Sequence, residues 1–177
     1  MAVNAKQVKE LREKTGAGML DCKKALEETG GDIDKAIDYL REKGIAKAAK
    51  KGSRVAAEGL TSVVSDGNTA ILFEVNSETD FVAKNQEFLN LIDQVGRELI
   101  QSDAKDLEAA LAISVEDGTM ADLIVKATSR IGEKLDLRRY QRVSKDDAQV
   151  FGSYIHMGGK IASLVVLKGG DESVARD

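Results

Sequence analysis

The sequence lacks several residue types that many folds depend on: it has no proline, no tryptophan, one cysteine and one histidine. Because Cys22 is alone, an internal disulfide is excluded, and a reducing compartment is expected. One histidine and one cysteine also provide no cluster of metal ligands at useful spacing. Without proline, the 16 glycines must form most of the turns and helix ends.

A strong net charge and a long apolar run are also missing. The 26 basic and 30 acidic residues leave a net charge of -4, so no overall field attracts nucleic acid. No apolar stretch approaches the length needed to cross a bilayer. We therefore expect a cytoplasmic protein that binds neither membranes nor nucleic acid directly. The composition, 42% hydrophobic and 32% charged, is that of an ordinary folded protein.

No arrangement of residues typical of an enzyme is present. The two glycines of Gly16-Ala17-Gly18 follow a helical pattern, whereas a dinucleotide-binding loop follows a strand. This segment is better explained as the end of one helix and the start of the next. The sequence therefore predicts a protein that is not an enzyme and that carries no cofactor of its own.

Residues 1–45 predict a small domain of three helices. Asn4 is a suitable N-cap, with Gln7 three positions later, and Gly16 can end the first helix. The second helix should stop at Gly30-Gly31. The third should begin after Asp32 and close at Gly44, with its apolar residues on one face.

The remainder predicts a basic linker and then an α+β region with an antiparallel sheet and packed helices. The linker covers residues 46–57, the core subdomain 58–143, and the start of a second subdomain 144–177. Asp66-Gly67 between two apolar runs is a strong hairpin signal, and Asn85 should begin a long helix. Further patterns predict strands at 135–143, 150–156 and 161–167 and helices at 107–111 and 120–131. The final residues look like the first turns of a helix, so we expect the chain to be a shortened form.

The segment Thr79-Asp80-Phe81-Val82 is the most informative feature of the chain. It lies where a strand pattern ends in a polar turn and a helical pattern begins. Aromatic residues make up only 4% of the chain, so a phenylalanine at a turn calls for an explanation. Phe81 could fold inward as part of the core, or it could project as a wedge toward a partner.

Three other features have both a structural and a functional interpretation. The basic linker, with Lys47, Lys50 and Lys51, could contact nucleic acid, but it lacks interleaved aromatics and fits a solvated segment or a protein contact better. Cys22 lies on an inward helix face and suits packing. His156 shares a strand face with Tyr154, and an isolated strand histidine is more often structural than chemical.

Two long motifs, in the right order, resemble the signatures of the translation elongation factor Ts family. The first is VKELREKTGAGMLDCKKAL at residues 8–26, and the second is TDFVAK at residues 79–84. The resemblance continues through residues 131–133, 137–139 and 152–156, so it covers essentially the whole chain. Many members of this family extend further at the carboxy terminus, which supports the expectation of a shortened form.

The resemblance implies a guanine-nucleotide exchange factor for elongation factor Tu, the GTPase that delivers aminoacyl-tRNA to the ribosome. It also implies a ubiquitin-associated type of fold for the three amino-terminal helices. The residues matching Asp80 and Phe81 insert beside the Mg-GDP site of the partner, where the phenylalanine wedges between partner side chains. Thr79 and Val82 flank this pair. Further implied contacts to elongation factor Tu are Arg12, Met19, Leu20, Lys23, Lys51, Ile131, Gly132 and His156.

Two alternatives remain open. The three-helix domain alone would suit a ubiquitin-binding module, with Met19 and Leu20 as an apolar docking patch. That module would leave the motif at residues 79–84 unexplained. An RNA-binding translation factor would rest on the basic linker, and the net charge and the few aromatics argue against it. The oligomeric state is left open.

Overall fold

The computed structural model describes residues 3–176 and divides the chain into two compact units. Unit 1 comprises the residues up to Ser53 together with Val125–Gly132, and unit 2 comprises Arg54–Ile124 and the residues from Glu133 onward. Among the described residues the strands pair antiparallel and are combined with helices, so the predicted α+β class is confirmed. Within the described range, no helix is both long enough and apolar enough to cross a membrane.

Unit 1 is built on the three predicted helices, α1 (Ala5–Thr15), α2 (Met19–Glu28) and α3 (Ile33–Lys51). The Asn4 side chain accepts a hydrogen bond from the Gln7 amide, and the Gln7 side chain accepts one from the Asn4 amide, so the predicted cap is confirmed. Gly16 ends α1 in the left-handed conformation, with φ of 65°. The core contains six buried side chains: Val8, Leu11, Cys22, Ala25, Leu26 and Ala36.

The prediction that the third helix closes at Gly44 is wrong, because α3 continues to Lys51. Glycine in a helix interior costs only about 1 kcal/mol relative to alanine, and the alanine-rich stretch that follows favours helix strongly. Gly44 also has a packing role within unit 1. A Cβ at this position would lie 3.2 Å from Ser129 Oγ, so glycine allows the second part of helix α7 (Met120–Ile131) to approach.

Unit 2 contains a three-stranded antiparallel sheet in the order β1-β2-β5. Its strands are β1 (Glu58–Asp66), β2 (Thr69–Ser77) and β5 (Asp136–Ser144). The predicted hairpin joins β1 to β2, and Gly67 in its turn has φ of 53°. A register shift between Glu74 and Val75 interrupts the pairing of β2 with β5.

Helix α5 (Gln86–Gln101) packs against β1 and β2, as its apolar spacing predicts. Phe88, Val95 and Leu99 are fully buried along it, and the Asn85 side chain caps its start. The shorter elements are α4 (Asp80–Ala83), α6 (Leu107–Ala112), β3 (Ser114–Val115) and β4 (Gly118–Thr119). Phe73, Val75 and Leu137 are buried in the centre of the sheet, close to the end of β2.

The last part of unit 2 is a two-stranded ribbon, β6 (Gln149–His156) and β7 (Ile161–Lys168), followed by the short helix α8 (Glu172–Arg176). Gly152 lies directly beneath α8, because a Cβ there would overlap the carbonyl oxygen of Ala175. The turn between β6 and β7 is tied to β1, since the Thr61 amide donates to the Gly159 carbonyl at 2.6 Å. These contacts give His156 a defined place on the ribbon.

Candidate functional site

The turn after β2 presents the segment Thr79–Val82 at the end of the sheet. The Ser77 side chain is fully buried, and its hydroxyl donates to the Thr79 carbonyl at 2.9 Å. Thr79 is the N-cap of α4, and its hydroxyl accepts a hydrogen bond from the Val82 amide. Ala83, the last residue of α4, is buried. The chain is therefore anchored on both sides of Asp80 and Phe81.

Glu133 holds this turn from a distant point of the chain. One of its carboxylate oxygens accepts from the amides of Glu78 and Thr79, at 3.1 Å and 3.0 Å. The other accepts from the Thr79 hydroxyl at 2.7 Å. No local signal in the sequence marks Glu133 for this role, because its partners lie 54 and 55 residues away. The only indication in the sequence that Glu133 has a role is its position directly after Gly132, inside a stretch of family resemblance.

Phe81 projects into solvent, with 81% of its surface exposed. The exposed ring leaves a large apolar area in water, so its burial against a partner would be favourable. Of the two interpretations left open for Phe81, packing in the core is thus excluded. Val82 beside it is half-buried, and α4 therefore turns one apolar residue partly inward and the other fully outward.

Asp80 and Lys84 form an ion pair one helical turn apart, with Oδ2 and Nζ 2.8 Å from each other. The hydrogen bond from the Lys84 ammonium lowers the pKa of the Asp80 carboxyl, and the same bond raises the pKa of Lys84. Asp80 therefore remains negatively charged beside the exposed Phe81 ring throughout the neutral range.

Replacing Lys84 with methionine is expected to raise the pKa of Asp80 toward its ordinary value, because the main hydrogen bond to the carboxylate is lost. A depressed folded pKa means that the pair stabilises the fold above the ordinary aspartate range and loses its effect as pH falls through the depressed pKa. An NMR titration of the Asp80 carboxyl carbon measures this change. Asp32 is the internal control, because the Lys35 amide lowers its pKa independently. An unchanged Asp80 titration would contradict the assigned pairing.

On unit 1, the implied partner contacts Met19 and Leu20 lie in the first turn of α2, which follows the loop of Gly16 and Gly18. Met19 is 59% exposed and Leu20 is 83% exposed, although both are large apolar residues. Arg12 and Lys23 are also exposed. The end of α1 and the start of α2 therefore present an exposed apolar patch beside basic side chains. This composition is typical of a protein-binding surface.

Unit 1 also brings together two implied residues that lie 81 positions apart in sequence. The Lys51 ammonium donates a hydrogen bond to the carbonyl oxygen of Gly132. Gly132 has φ of 92°, a backbone conformation that favours glycine, and follows the half-buried Ile131 at the end of α7. Lys51, at the end of α3, thus contacts the segment that ends α7.

His156 lies at the end of β6 in unit 2, with its ring exposed. Its Nδ1 is 2.9 Å from the Tyr154 hydroxyl, and the two rings stack with centroids 5.8 Å apart. The expectation that both side chains share one strand face is confirmed. Three apolar residues at the same end of the ribbon, Ile155, Met157 and Ile161, are also exposed. Within residues 3–176, no group of three or more acidic, histidine or cysteine side chains could hold a metal ion.

Comparison with known proteins identifies related sequences. The family described as Elongation factor TS matches residues 78–177. An Elongation factor Ts of Acholeplasma laidlawii (strain PG-8A) is 60% identical over 178 residues, an alignment that covers 100% of this chain. The chain spans 60% of the length of that relative.

Proposed function

Because the chain belongs to the elongation factor Ts family, we propose that it is a guanine-nucleotide exchange factor for elongation factor Tu. It promotes the release of GDP during translation elongation, in the cytoplasm. The observation that carries the proposal is the exposed Phe81 ring on a turn anchored by Ser77, Thr79 and Ala83. A rigid apolar side chain of this kind can enter a partner without first being ordered.

In the proposed mechanism, Asp80 and Phe81 insert near the nucleotide and Mg²⁺ of elongation factor Tu. The Phe81 ring separates partner side chains, and the ionised Asp80 places a negative charge near a site that holds a cation and phosphates. A like charge close to bound phosphate repels it and weakens nucleotide binding. The chain itself needs no cofactor for this role, since it acts on the Mg-GDP of its partner and makes no covalent bond.

Thermodynamic linkage couples the binding of the factor to the binding of GDP. If the factor weakens GDP binding, GDP must weaken factor binding by the same ratio. A ten-thousandfold acceleration needs about 5.5 kcal/mol of differential stabilisation. Burying one exposed phenylalanine supplies only about 1.5–3 kcal/mol. Phe81 therefore requires help from further contacts on both units.

Further residues on both units are proposed to supply the rest, some of them exposed and others, such as Lys51 and Ile131, half-buried. On unit 1 they are Arg12, Met19, Leu20 and Lys23, with Lys51, Ile131 and Gly132 as a second set. On unit 2, Thr79 and Val82 flank the wedge, and His156 contacts a more distant domain of elongation factor Tu. The large exposed areas of Met19 and Leu20 support an apolar contact. These docking residues increase affinity, whereas Asp80 and Phe81 act on the nucleotide site.

The release of labelled GDP from purified elongation factor Tu tests the proposal. We expect the release rate to rise with the concentration of this chain and to reach a plateau, because exchange proceeds through a saturable complex. Excess unlabelled GDP should dissociate that complex, as linkage requires. A release rate that equals spontaneous release at every concentration of the chain would overturn the proposed function.

A further inference from the structure

We propose that Glu133 is a positioning residue for nucleotide exchange, which fixes the turn that presents Asp80 and Phe81. This inference rests on the proposed function and deepens it. Glu133 is half-buried and is placed to act through the backbone of Glu78 and Thr79. The motif that carries the exposed phenylalanine would then depend on a residue far away in sequence.

The contacts of Glu133 use both carboxylate oxygens. Oε2 accepts from two successive backbone amides, those of Glu78 and Thr79, while Oε1 accepts from the Thr79 hydroxyl. Hydrogen bonds to an ionised acceptor are roughly twice as strong as neutral ones. Three such bonds from one side chain fix both the position and the orientation of the backbone just before α4.

Glu78 in turn holds the segment that contains Glu133. We call this pair of reciprocal contacts, between Glu133 and the turn at Glu78 and Thr79 and between Glu78 and Lys134, the clasp. A Glu78 oxygen accepts from the Lys134 amide at 2.6 Å, and both of its oxygens lie 3.3 Å from Arg54 Nη1. Lys134 in turn donates from its ammonium to the Arg54 carbonyl at 3.1 Å. The two carboxylates are thus each bound to the backbone of the other segment, which prevents either segment from moving independently.

Helix α4 needs this support because it has only four residues. A helix of one turn is not stable by itself, since forming the first turn fixes several residues for a single hydrogen bond. Inside α4, only Ala83 is buried. The direction of the Phe81 ring therefore depends on Thr79, and Thr79 depends on Glu133. Without the clasp, the turn would have to be ordered again at each encounter with a partner, which reduces the binding energy available for exchange.

The first experiment tests the clasp directly by amide hydrogen exchange in the free protein. In Glu133→Ala, the Glu78 and Thr79 amides are expected to exchange about tenfold or more faster, because both lose their charged acceptor. Glu133→Gln keeps one acceptor oxygen and should give intermediate rates. The amides of α5 should not change. Unchanged protection of Glu78 and Thr79 in Glu133→Ala would overturn the proposal.

The second experiment measures GDP release from elongation factor Tu over a range of factor concentrations. For Glu133→Ala we expect the plateau rate to fall about tenfold or more, because all three charge-assisted hydrogen bonds to the turn are lost. Glu133→Gln should recover part of that rate. The matched control is Glu116→Ala, which removes an exposed glutamate from the turn between β3 and β4. Circular dichroism must show that all variants are folded at the assay temperature.

The outcomes separate the two proposals. If the parent chain accelerates release and Glu133→Ala does so equally well, the positioning role is wrong. If the parent chain does not accelerate release, the proposed function fails, and hydrogen exchange at Thr79 still decides whether Glu133 holds the turn. A loss of rate equal in Glu133→Ala and Glu116→Ala would also contradict the proposal, because it would show an effect of charge alone.

Discussion

Replacing Phe81 with alanine is expected to slow GDP release from elongation factor Tu by roughly tenfold to a hundredfold at a saturating concentration of the factor. This range follows from the loss of about 1.5–3 kcal/mol of apolar burial in the complex, since each 1.36 kcal/mol changes a rate about tenfold. The stability of the free protein should hardly change, because the ring is 81% exposed. The exchange assay and a thermal unfolding curve measure the two effects separately.

The control for Phe81→Ala removes another exposed apolar side chain. Val174 in α8 is 59% exposed and lies outside the proposed contacts, so Val174→Ala should leave release unchanged. Phe81→Leu keeps part of the apolar surface and should retain more activity than Phe81→Ala. Equal release by Phe81→Ala and the parent chain would refute the wedge, and a large loss of thermal stability would show that the ring packs in the folded protein.

Unlike Phe81→Ala, which should hardly change stability, replacing Phe73 with alanine is expected to destabilise the protein. The expected loss is about 3–5 kcal/mol in the free energy of unfolding. Phe73 is 1% exposed, pairs with Tyr140 across the sheet and packs close to Gly96 of α5. Removing its ring leaves a cavity that the surrounding strands and helix cannot fill. The free energy of unfolding of a small domain is only about 5–15 kcal/mol. The substitution would therefore remove a large part of the stability of unit 2.

Urea unfolding followed by circular dichroism measures this loss, with Phe81→Ala as the matched control of identical chemistry. Because the chain has two units, the transition must be followed with probes in each unit, as one transition cannot be assumed. Phe73→Leu keeps most of the buried carbon and should lose less stability than Phe73→Ala. If Phe73→Ala and Phe81→Ala unfold at the same urea concentration, the assignment of one ring to the core and the other to the surface is wrong.

Local chemistry explains why most elements could be predicted. The Asn4 and Asn85 caps, the Asp66-Gly67 turn and the apolar spacing of α5 act over a few residues, and all are present in the structure. The prediction failed at Gly44, where a local stop signal competed with a favourable alanine-rich continuation. Within that continuous helix, Gly44 leaves room for Ser129, which is distant in sequence.

The sequence by itself determined the family, the α+β class and the position of the motif around Phe81. These properties rest on residue order, periodicity and capping, which are local. Only the tertiary structure decided that Phe81 points outward, that Glu133 clasps the turn at Thr79, and that Lys51 reaches Gly132. Each of these depends on contacts between residues far apart in the chain. Such contacts form when the elements inside each unit pack together, and no short-range pattern encodes them.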